Sequence, residues 1–207
     1  SGEGVELDLY IPYDLPNIVN RFDLNNGGFI SETGWTWGAP QNVNPFSGDK
    51  VWGTNLSGEY PINIQYHLYT PRYTLMEGSQ LSFMHYYGTE ALYDGVNVSI
   101  STNNGNSWTV ITPQGGYNGT GIAGLNLENG WTGSSEAWIP ATFDLATYAN
   151  QEVMFRFRLG SNGADNGIGW FIDNFELTNV NLKTGFLYGT VFPSSGISPK
   201  NATVMSN

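Results

Sequence analysis

Two histidines and several acidic side chains are the residues of this 207-residue sequence that could support catalysis. A zinc hydrolase needs histidine ligands at a short fixed spacing, such as His-Glu-x-x-His, and many serine hydrolases carry Gly-x-Ser-x-Gly. His67 and His85 stand in "QYHLY" and "FMHYY" without a partner nearby in sequence, and no Gly-x-Ser-x-Gly is present. Although they lie two strands apart and could approach each other, we predict a core or interface role for each.

Glycoside hydrolysis needs two carboxyl groups roughly 5–10 Å apart across a cleft. Glu90, Glu128 and Glu136 are candidates for such a pair. Their spacing does not match the paired or strand-borne glutamates of jelly-roll glycosidases. Catalysis by the chain is therefore the weaker hypothesis, and no catalytic residue is predicted.

Carbohydrate binding is supported by aromatic residues that stand among glycines and polar residues. Sugars stack their apolar faces on exposed rings, while a few polar groups bind the hydroxyls. The segments "TGWTWGAP" and "ENGWTGSSEAW" carry Trp37, Trp131 and Trp138 in such surroundings, and Tyr93 marks a second rim. We predict these four as ligand-binding residues, with Trp131 the foremost exposed ring. The alternative is that such rings fill the core.

The stretch "STNNGNSW" at 101–108 resembles the Asp-box of sialidases, with Asn103 where that motif has Asp. Sialidases carry several such boxes, whereas this chain has one. A β-hairpin explains it without an active site, because Gly105 supplies a positive φ and asparagines bind backbone groups. In that interpretation Trp108 packs under the turn.

Alternation of apolar and polar residues indicates the elements that must position these side chains. Val96, Val98 and Ile100 share one face of "VNVSIS", and "VMFRFRLG" at 153–160 alternates in the same way. Turn signals recur at 25–28, 47–49, 76–79, 103–106 and 161–167. The last of these has the composition of a calcium loop but not the spacing of an EF-hand, so we predict a turn. Many short strands so punctuated predict an all-β jelly-roll β-sandwich of two antiparallel sheets.

Composition agrees with strands and tight turns and excludes several classes of function. The sequence has 27 Gly, 10 Pro and 14% aromatic residues, but only 12% charged residues. Its formal charge of −11 repels phosphate backbones, so nucleic acid is not an expected partner. No apolar run reaches the roughly 20 residues of a bilayer-spanning helix, so membrane insertion is not expected. The absence of cysteine excludes disulfides and thiolate metal sites.

The composition of the sequence changes near both ends of the chain. Residues 1–19 are punctuated by proline and predict a linker or an edge strand, and residues 20–180 form the predicted sandwich domain. Residues 181–207 contain "GFLYGTVFPSSG", which resembles the opening strands of carboxypeptidase-regulatory-like domains. We expect this tail to be a linker followed by the truncated start of another β domain.

Landmarks between 20 and 180 occur in a characteristic order: "RFDLNNGGFISETGWTWGAP", "SGDKVWG", "DGVNVSISTNNGNSWTVI", "FDLATYANQEVMFRFRLGSNG" and "GIGWFIDNFEL". The ordered set resembles the MAM-like jelly rolls of secreted bacterial proteins. These include the C-terminal region of immune inhibitor A-type metallopeptidases and "choice-of-anchor" surface proteins. The resemblance implies packing roles for Trp35, Trp52 and Trp170.

In such jelly rolls, the resemblance implies a Ca²⁺ ion that joins the first and last strands through acidic side chains. The matching positions here are Asp23 in "RFD", Asp49 in "SGDKVWG" and Asp173 in "WFIDNF". The family usually has Glu where this chain has Asp23, which is shorter by one methylene. The alternative is that Asp23 and Asp49 are solvated turn residues and that Asp173 only binds backbone groups.

These expectations combine into a non-catalytic, calcium-stabilised accessory module of a secreted or cell-surface multi-domain bacterial protein. The expected partners are a glycan, a glycoprotein or neighbouring domains of the parent protein, which would be a peptidase or a glycan-degrading enzyme. Two alternatives remain: a structural spacer beside a secreted metallopeptidase, and a jelly-roll glycoside hydrolase.

Overall fold

The computed structural model describes residues 17–181, in which two layers of antiparallel strands enclose one hydrophobic core. Residues 1–16 and 182–207, which hold most of the predicted N-terminal linker and of the predicted following domain, lie outside the described residues. The predicted all-β jelly-roll sandwich is confirmed.

The first layer has the strand order β11-β6-β13-β4-β3, and β1 pairs with the C-terminal half of β13. Its strands are β1 (Ile18–Asn20), β3 (Trp35–Gly38), β4 (Val51–Thr54), β6 (Tyr73–Gly88), β11 (Ile139–Asp144) and β13 (Gly169–Asn181). β6 and β13 are long because alternating apolar residues continue through them. The predicted turn at 76–79 is wrong: those residues lie within β6, where Gly78 has a φ of +73°.

The second layer has the order β2-β5-β12-β7-β8. Its strands are β2 (Ile30–Ser31), β5 (Gln65–Tyr69), β7 (Gly95–Ser101), β8 (Thr109–Val110) and β12 (Glu152–Gly160). The start of β12 also pairs with β6, through Glu152 with Thr74 and Val153 with Tyr73, and so joins the two layers. A small hairpin of β9 (Gly119–Ile122) and β10 (Glu128–Gly130) flanks the second layer, and short 3-10 helices occupy Ala123–Leu125 and Ala146–Tyr148.

The inner faces of both layers supply the core. Phe155, Phe157 and Leu159 on β12 are fully buried, as the alternation predicts, and Phe83 of β6 meets Phe157 at 5.1 Å between ring centroids. Burial of each such side chain contributes about 1.5–3 kcal/mol relative to an exposed one. The predicted packing roles of Trp35, Trp52 and Trp170 are confirmed, since each is at most 5% exposed.

The "STNNGNSW" segment is a turn between β7 and β8. Asn103 accepts the backbone N–H of Ser107 at 3.0 Å through its side-chain oxygen, and Gly105 has a φ of +83°. Trp108 lies beside Gly105, since a Cβ added there would be 3.6 Å from the indole. The hairpin interpretation is confirmed, and the turn also delivers Trp108 to the outer face of the second layer.

The 3-10 helix at Ala123–Leu125 packs directly on β12. A Cβ on Gly124 would overlap the backbone oxygen of Gly160, so both positions require glycine for this approach. Gly124 also accepts a hydrogen bond from the Gln65 side chain at 2.6 Å. This contact places the following strand, β10, over the outer face of β7.

Candidate functional site

The two histidines occupy different sides of the sandwich. His85 is buried in the core, where its Nδ1 accepts a hydrogen bond from the Trp170 indole at 3.2 Å, and burial lowers its pKa to about 3. His67 lies on the outer face of the second layer, where burial and then Arg156 and Arg158 lower its pKa to about 4. The core role predicted for His85 is confirmed, and the two rings do not meet.

The prediction that Trp131 is an exposed ring is wrong, because only 6% of it is exposed. Its backbone exchanges two 2.9 Å hydrogen bonds with Val96. Directly paired residues point to the same side of a sheet, and Val96 faces the core, so the indole is directed there too. It packs 4.3 Å from His85 and 4.7 Å from Tyr117 between ring centroids.

The other three predicted ligand-binding aromatics lie apart from one another. Trp37 packs against the edge of the core, donates to Phe22 O at 2.7 Å and carries the Lys50 ammonium 4.5 Å from its ring. Trp138 is half-buried and donates to Asn44 O at 2.8 Å, while Tyr93 is 53% exposed in the loop before β7. Among residues 17–181 no ring contact joins any two of these aromatics, so they do not form one binding surface.

The predicted calcium ligands converge near the segment 47–49. Asp49 donates its backbone N–H to the Asp23 carboxylate at 2.9 Å, and Ser47 donates its own to Asp173 at 2.9 Å. Asp173 is fully buried, and both burial and the nearby Asp23 carboxylate raise its pKa. The Asp49 side chain is exposed, and within the described residues no three His, Cys, Asp or Glu side chains are grouped for a metal ion.

Asp23 and Asp173 nonetheless fit a cation in their chemistry. Neither makes an ion pair with a Lys, Arg or His in the part of the chain that the structure describes. Two neighbouring carboxylates without a counter-ion repel each other, whereas Ca²⁺ prefers carboxylate, amide and carbonyl oxygens together. The amide oxygen of Asn174, 2.7 Å from the Ser47 hydroxyl, lies at the same place. Calcium binding at Asp23, Asp49 and Asp173 stays a prediction.

The outer face of the second layer gathers polar and aromatic side chains that sequence reasoning did not assign. Because Phe155, Phe157 and Leu159 point inward, the residues between them on β12 point outward. Strand register then sets neighbours side by side: Tyr69, Arg156 and Ser99 form one row, and His67, Arg158 and Asn97 form the next. We call these six residues, together with Trp108, the polar face.

Arg158 forms the base of the polar face. It is 4% exposed and donates to Glu128 at 2.7 Å and to Gln65 at 2.6 Å. Glu128 reaches it because β10 lies over β7, where Asn97 also donates to Glu128 at 3.2 Å and to Asn129 O at 3.0 Å. This arginine is therefore paired and fixed in position.

Arg156 is held differently. Its guanidinium carbon lies 4.9 Å from the centre of the Trp108 ring, and its Nη2 donates to the Ser99 hydroxyl at 3.4 Å. The residues that the structure describes place no carboxylate within ion-pairing distance of it. Burial and then Arg158 lower its pKa, yet a guanidinium remains protonated at neutral pH.

A row of rings borders the two arginines. Trp108 and Tyr69 are 5.5 Å apart between centroids, and Tyr69 and His67 are 5.9 Å apart. Met154, the next outward residue of β12, lines a surface hollow of about 340 Å³ with Arg72 and Asn103 at the end of this face. The one sequence signal for the face was "FRFR", in which arginines alternate with core phenylalanines.

The glutamates considered for glycoside hydrolysis have separate environments. Glu128 is engaged with Arg158, whereas burial and then the nearby Asp94 and Asp165 carboxylates raise the pKa of Glu90. Asp94 is fully buried and accepts hydrogen bonds from the Tyr60 hydroxyl at 2.7 Å and from Asn162 N at 2.8 Å. Asp94 thereby fastens the loop after β12, which is consistent with the predicted turn there.

The sequence is similar to a segment of a longer protein. No protein-family model matches the sequence. Bacillopeptidase F of Bacillus subtilis (strain 168) is 26% identical over 188 residues, a match that covers 86% of this chain and 12% of that protein. The chain thus spans a small part of the length of this relative.

Two solved adhesin domains of Lys-gingipain share the fold. The K2 cleaved adhesin domain superposes with a TM-score of 0.52 at 15% identity, covering 79% of this chain and 99% of that one. The K1 domain from Porphyromonas gingivalis W83 gives 0.51 at 16% identity, with 79% and 98% covered. Identities this low establish a common β-sandwich and nothing about a common ligand. No helix within residues 17–181 is long and apolar enough to cross a membrane.

Proposed function

We propose that the chain is a non-catalytic accessory module of a secreted or cell-surface multi-domain protein, and that it binds carbohydrate through the polar face. The observation that carries this proposal is the row formed by Trp108, Tyr69 and Arg156 on the outer side of β5, β8 and β12. Rings flanked by fixed amide and guanidinium donors supply the stacking and the hydrogen bonds that sugar recognition requires.

The rigidity of the polar face suits a binding module. Strands β5, β7 and β12 hold its residues in register, and their opposite faces are anchored in the core. A ligand that stacks on side chains fixed in this way loses little affinity to the ordering of the protein. The function supported is passive presentation, in which another part of the parent protein performs any reaction.

Calcium would stabilise the module away from the polar face. Asp23 precedes β2, Asp49 precedes β4 and Asp173 lies on the last strand, so an ion held by these carboxylates would clamp the start of the domain to its end. An ion that binds only the folded state stabilises it by mass action, by about 2.7 kcal/mol at one hundred times its Kd.

A structural spacer is the second candidate function, and the limited coverage of bacillopeptidase F favours it. In bacillopeptidase F the matching segment has neighbours on the same polypeptide, and a module in such a setting could pack against them. A spacer would show no glycan affinity and would bury the polar face against an adjacent domain.

A glycan array with the purified chain tests carbohydrate binding, followed by titration calorimetry on the strongest hit. Trp108→Ala should weaken that binding at least tenfold, because stacking on the ring is lost. Trp138→Ala, which removes a half-buried indole from the other layer, serves as the matched control and should leave the affinity unchanged. An array without hits would favour the spacer, and loss of binding only in the Trp138 variant would restore the ligand site predicted from the sequence.

Thermal unfolding with about 2 mM CaCl₂, roughly 2- to 20-fold above the Kd of extracellular calcium modules, and with a chelator tests the calcium clamp. We expect a higher Tm with calcium in the wild type and a smaller difference in Asp173→Asn. Glu136→Gln, at an exposed acidic residue, is the control for nonspecific screening. Equal melting temperatures of the wild type in calcium and chelator would eliminate the clamp.

A further inference from the structure

Three buried polar atoms of the polar face have no hydrogen-bond partner within the described residues: Arg156 Nε, Arg158 Nη2 and Asn97 Oδ1. Asn97 is fully buried and Arg158 is 4% exposed; Arg158 is the next outward residue after Arg156 on β12, and Asn97 is its register partner on β7. An unpaired buried polar group destabilises the folded state, and more so when it is charged. Of the three side chains, Arg156 is the one that reaches the surface, and it has no carboxylate partner within the described residues.

The charges around Arg156 are unusual for so acidic a protein. The chain has seven Lys and Arg against eighteen Asp and Glu, yet two of the seven point outward from one strand at consecutive outward positions. Glu128 neutralises Arg158. Glu32 is another carboxylate near this face; its side chain is 68% exposed and lies 3.9 Å from His67. His67 and Tyr69 are the remaining titratable groups, and His67, with its pKa of about 4, is neutral at pH 7.

We propose that Arg156 binds the anionic group of an acidic sugar unit, either the carboxylate of a uronic acid or a sulfate ester, within the glycan that occupies the polar face. This inference rests on the proposed carbohydrate binding and specifies its substrate class. The guanidinium presents its two Nη groups as a fork that matches two oxygens of one anionic group. Trp108 beneath it fixes the plane of that fork.

The flanking residues define how the sugar ring is held. Tyr69 lies in the same row as Arg156 and offers a ring face to the sugar. Asn97 and Arg158 are buried behind this row, and Arg158 is already neutralised by Glu128. The selectivity for charge therefore resides in Arg156.

Galacturonic acid oligosaccharides and their methyl esters test this assignment, because the two share a backbone and differ in the charged carboxylate. A charge-assisted bidentate contact should make the acid bind roughly 10- to 100-fold more tightly than the ester. A parallel titration with sulfated and desulfated chondroitin oligosaccharides distinguishes sulfate from carboxylate as the anion. The preference for the charged form should shrink as salt is raised, because the ions screen the charge on this half-buried site.

Variants on the same protein assign the effect to one side chain. Arg156→Met should abolish the preference for the charged glycan, and Arg156→Lys should retain only part of it because the fork is lost. Arg21→Met is the matched control: Arg21 is exposed and directly follows β1 of the first layer, away from the polar face. Unfolding curves for each variant show whether the fold persists, and the acid-ester comparison on the wild type does not depend on any variant.

Each outcome decides the inference. Equal affinity for acid and ester, with binding still lost in Trp108→Ala, overturns the acidic ligand and leaves carbohydrate binding in place. An absence of binding to charged and neutral glycans alike overturns both. Binding of an acidic peptide through Arg156, without affinity for acidic glycans, assigns the arginine to a protein partner and overturns the sugar.

Discussion

His85 should make this protein less stable in acid, because the folded state holds its ring neutral in the core. Its Nδ1 accepts the Trp170 N–H at 3.2 Å, and its Nε2 has no partner among residues 17–181. A proton on Nδ1 would abolish the first interaction, and a charge there would be buried among aromatic rings. Burial accordingly lowers the pKa of His85 to about 3.

The sign of the effect follows from proton binding in the two states. An unfolded histidine has a pKa of about 6.5, so between about pH 6.5 and pH 3 the unfolded chain binds the proton that the folded chain excludes. Stability due to a neutral His85 is complete above that range and falls as the pH is lowered. At pH 4.5, about two units below the unfolded value, the loss amounts to about 2.7 kcal/mol, since each unit is worth about 1.36 kcal/mol.

Urea unfolding of the wild type and of His85→Asn at pH 7.0 and pH 4.5 measures the stability that is lost because the folded state keeps His85 neutral. The asparagine keeps an oxygen near the position of Nδ1 but does not titrate. The packing cost of the substitution is the same at both pH values, and the carboxylates titrate alike in both proteins. The change in unfolding free energy from pH 7.0 to pH 4.5 in the wild type, minus the same change in His85→Asn, therefore isolates the contribution of His85. The wild type should lose about 2–3 kcal/mol more than the variant between the two pH values.

Equal losses in the two proteins would show that His85 becomes protonated inside the fold, and would refute the argument from burial. Should His85→Asn not fold, the imidazole carbon-bound protons of the wild type provide the same information by NMR. They should show no titration down to about pH 4, since the pKa of His85 is about 3.

Two further predictions concern packing and the support of the polar face. Trp131→Ala should lower the free energy of unfolding by about 3–5 kcal/mol in denaturant titrations, because the ring lies in the core. Trp138→Ala should lower it much less, because that ring is half-buried. Equal losses in the two variants would contradict the burial described. Gly124→Ala should push the 3-10 helix away from Gly160 and lower the stability by about 1–3 kcal/mol. It should weaken glycan binding as well, because β10 carries Glu128 to Arg158. Gly163→Ala is the control, because Gly163 is exposed, its φ is not positive and an added Cβ would meet only the Asn63 side chain, at 3.2 Å.

Local pattern was sufficient for the strands and for one turn. The alternation at 96–101 and 153–160 correctly identified which residues of β7 and β12 face the core, because a strand turns successive side chains to opposite sides whatever surrounds it. Asn103 and Gly105 identified the hairpin turn for the same reason, since a positive φ and a side-chain hydrogen bond are determined within a few residues. These features depend on near neighbours in the chain.

The site depended on contacts between distant segments. The sequence around Trp131 has the composition of an exposed loop, but pairing with Val96, 35 positions earlier, directs the indole towards the core. Arg156 and Trp108 are 48 positions apart in sequence, and only the register of β7 with β12 and the β7–β8 hairpin bring the guanidinium over the ring. Composition predicts how much aromatic and charged surface a chain has, whereas strand order and register decide which of those side chains share a face.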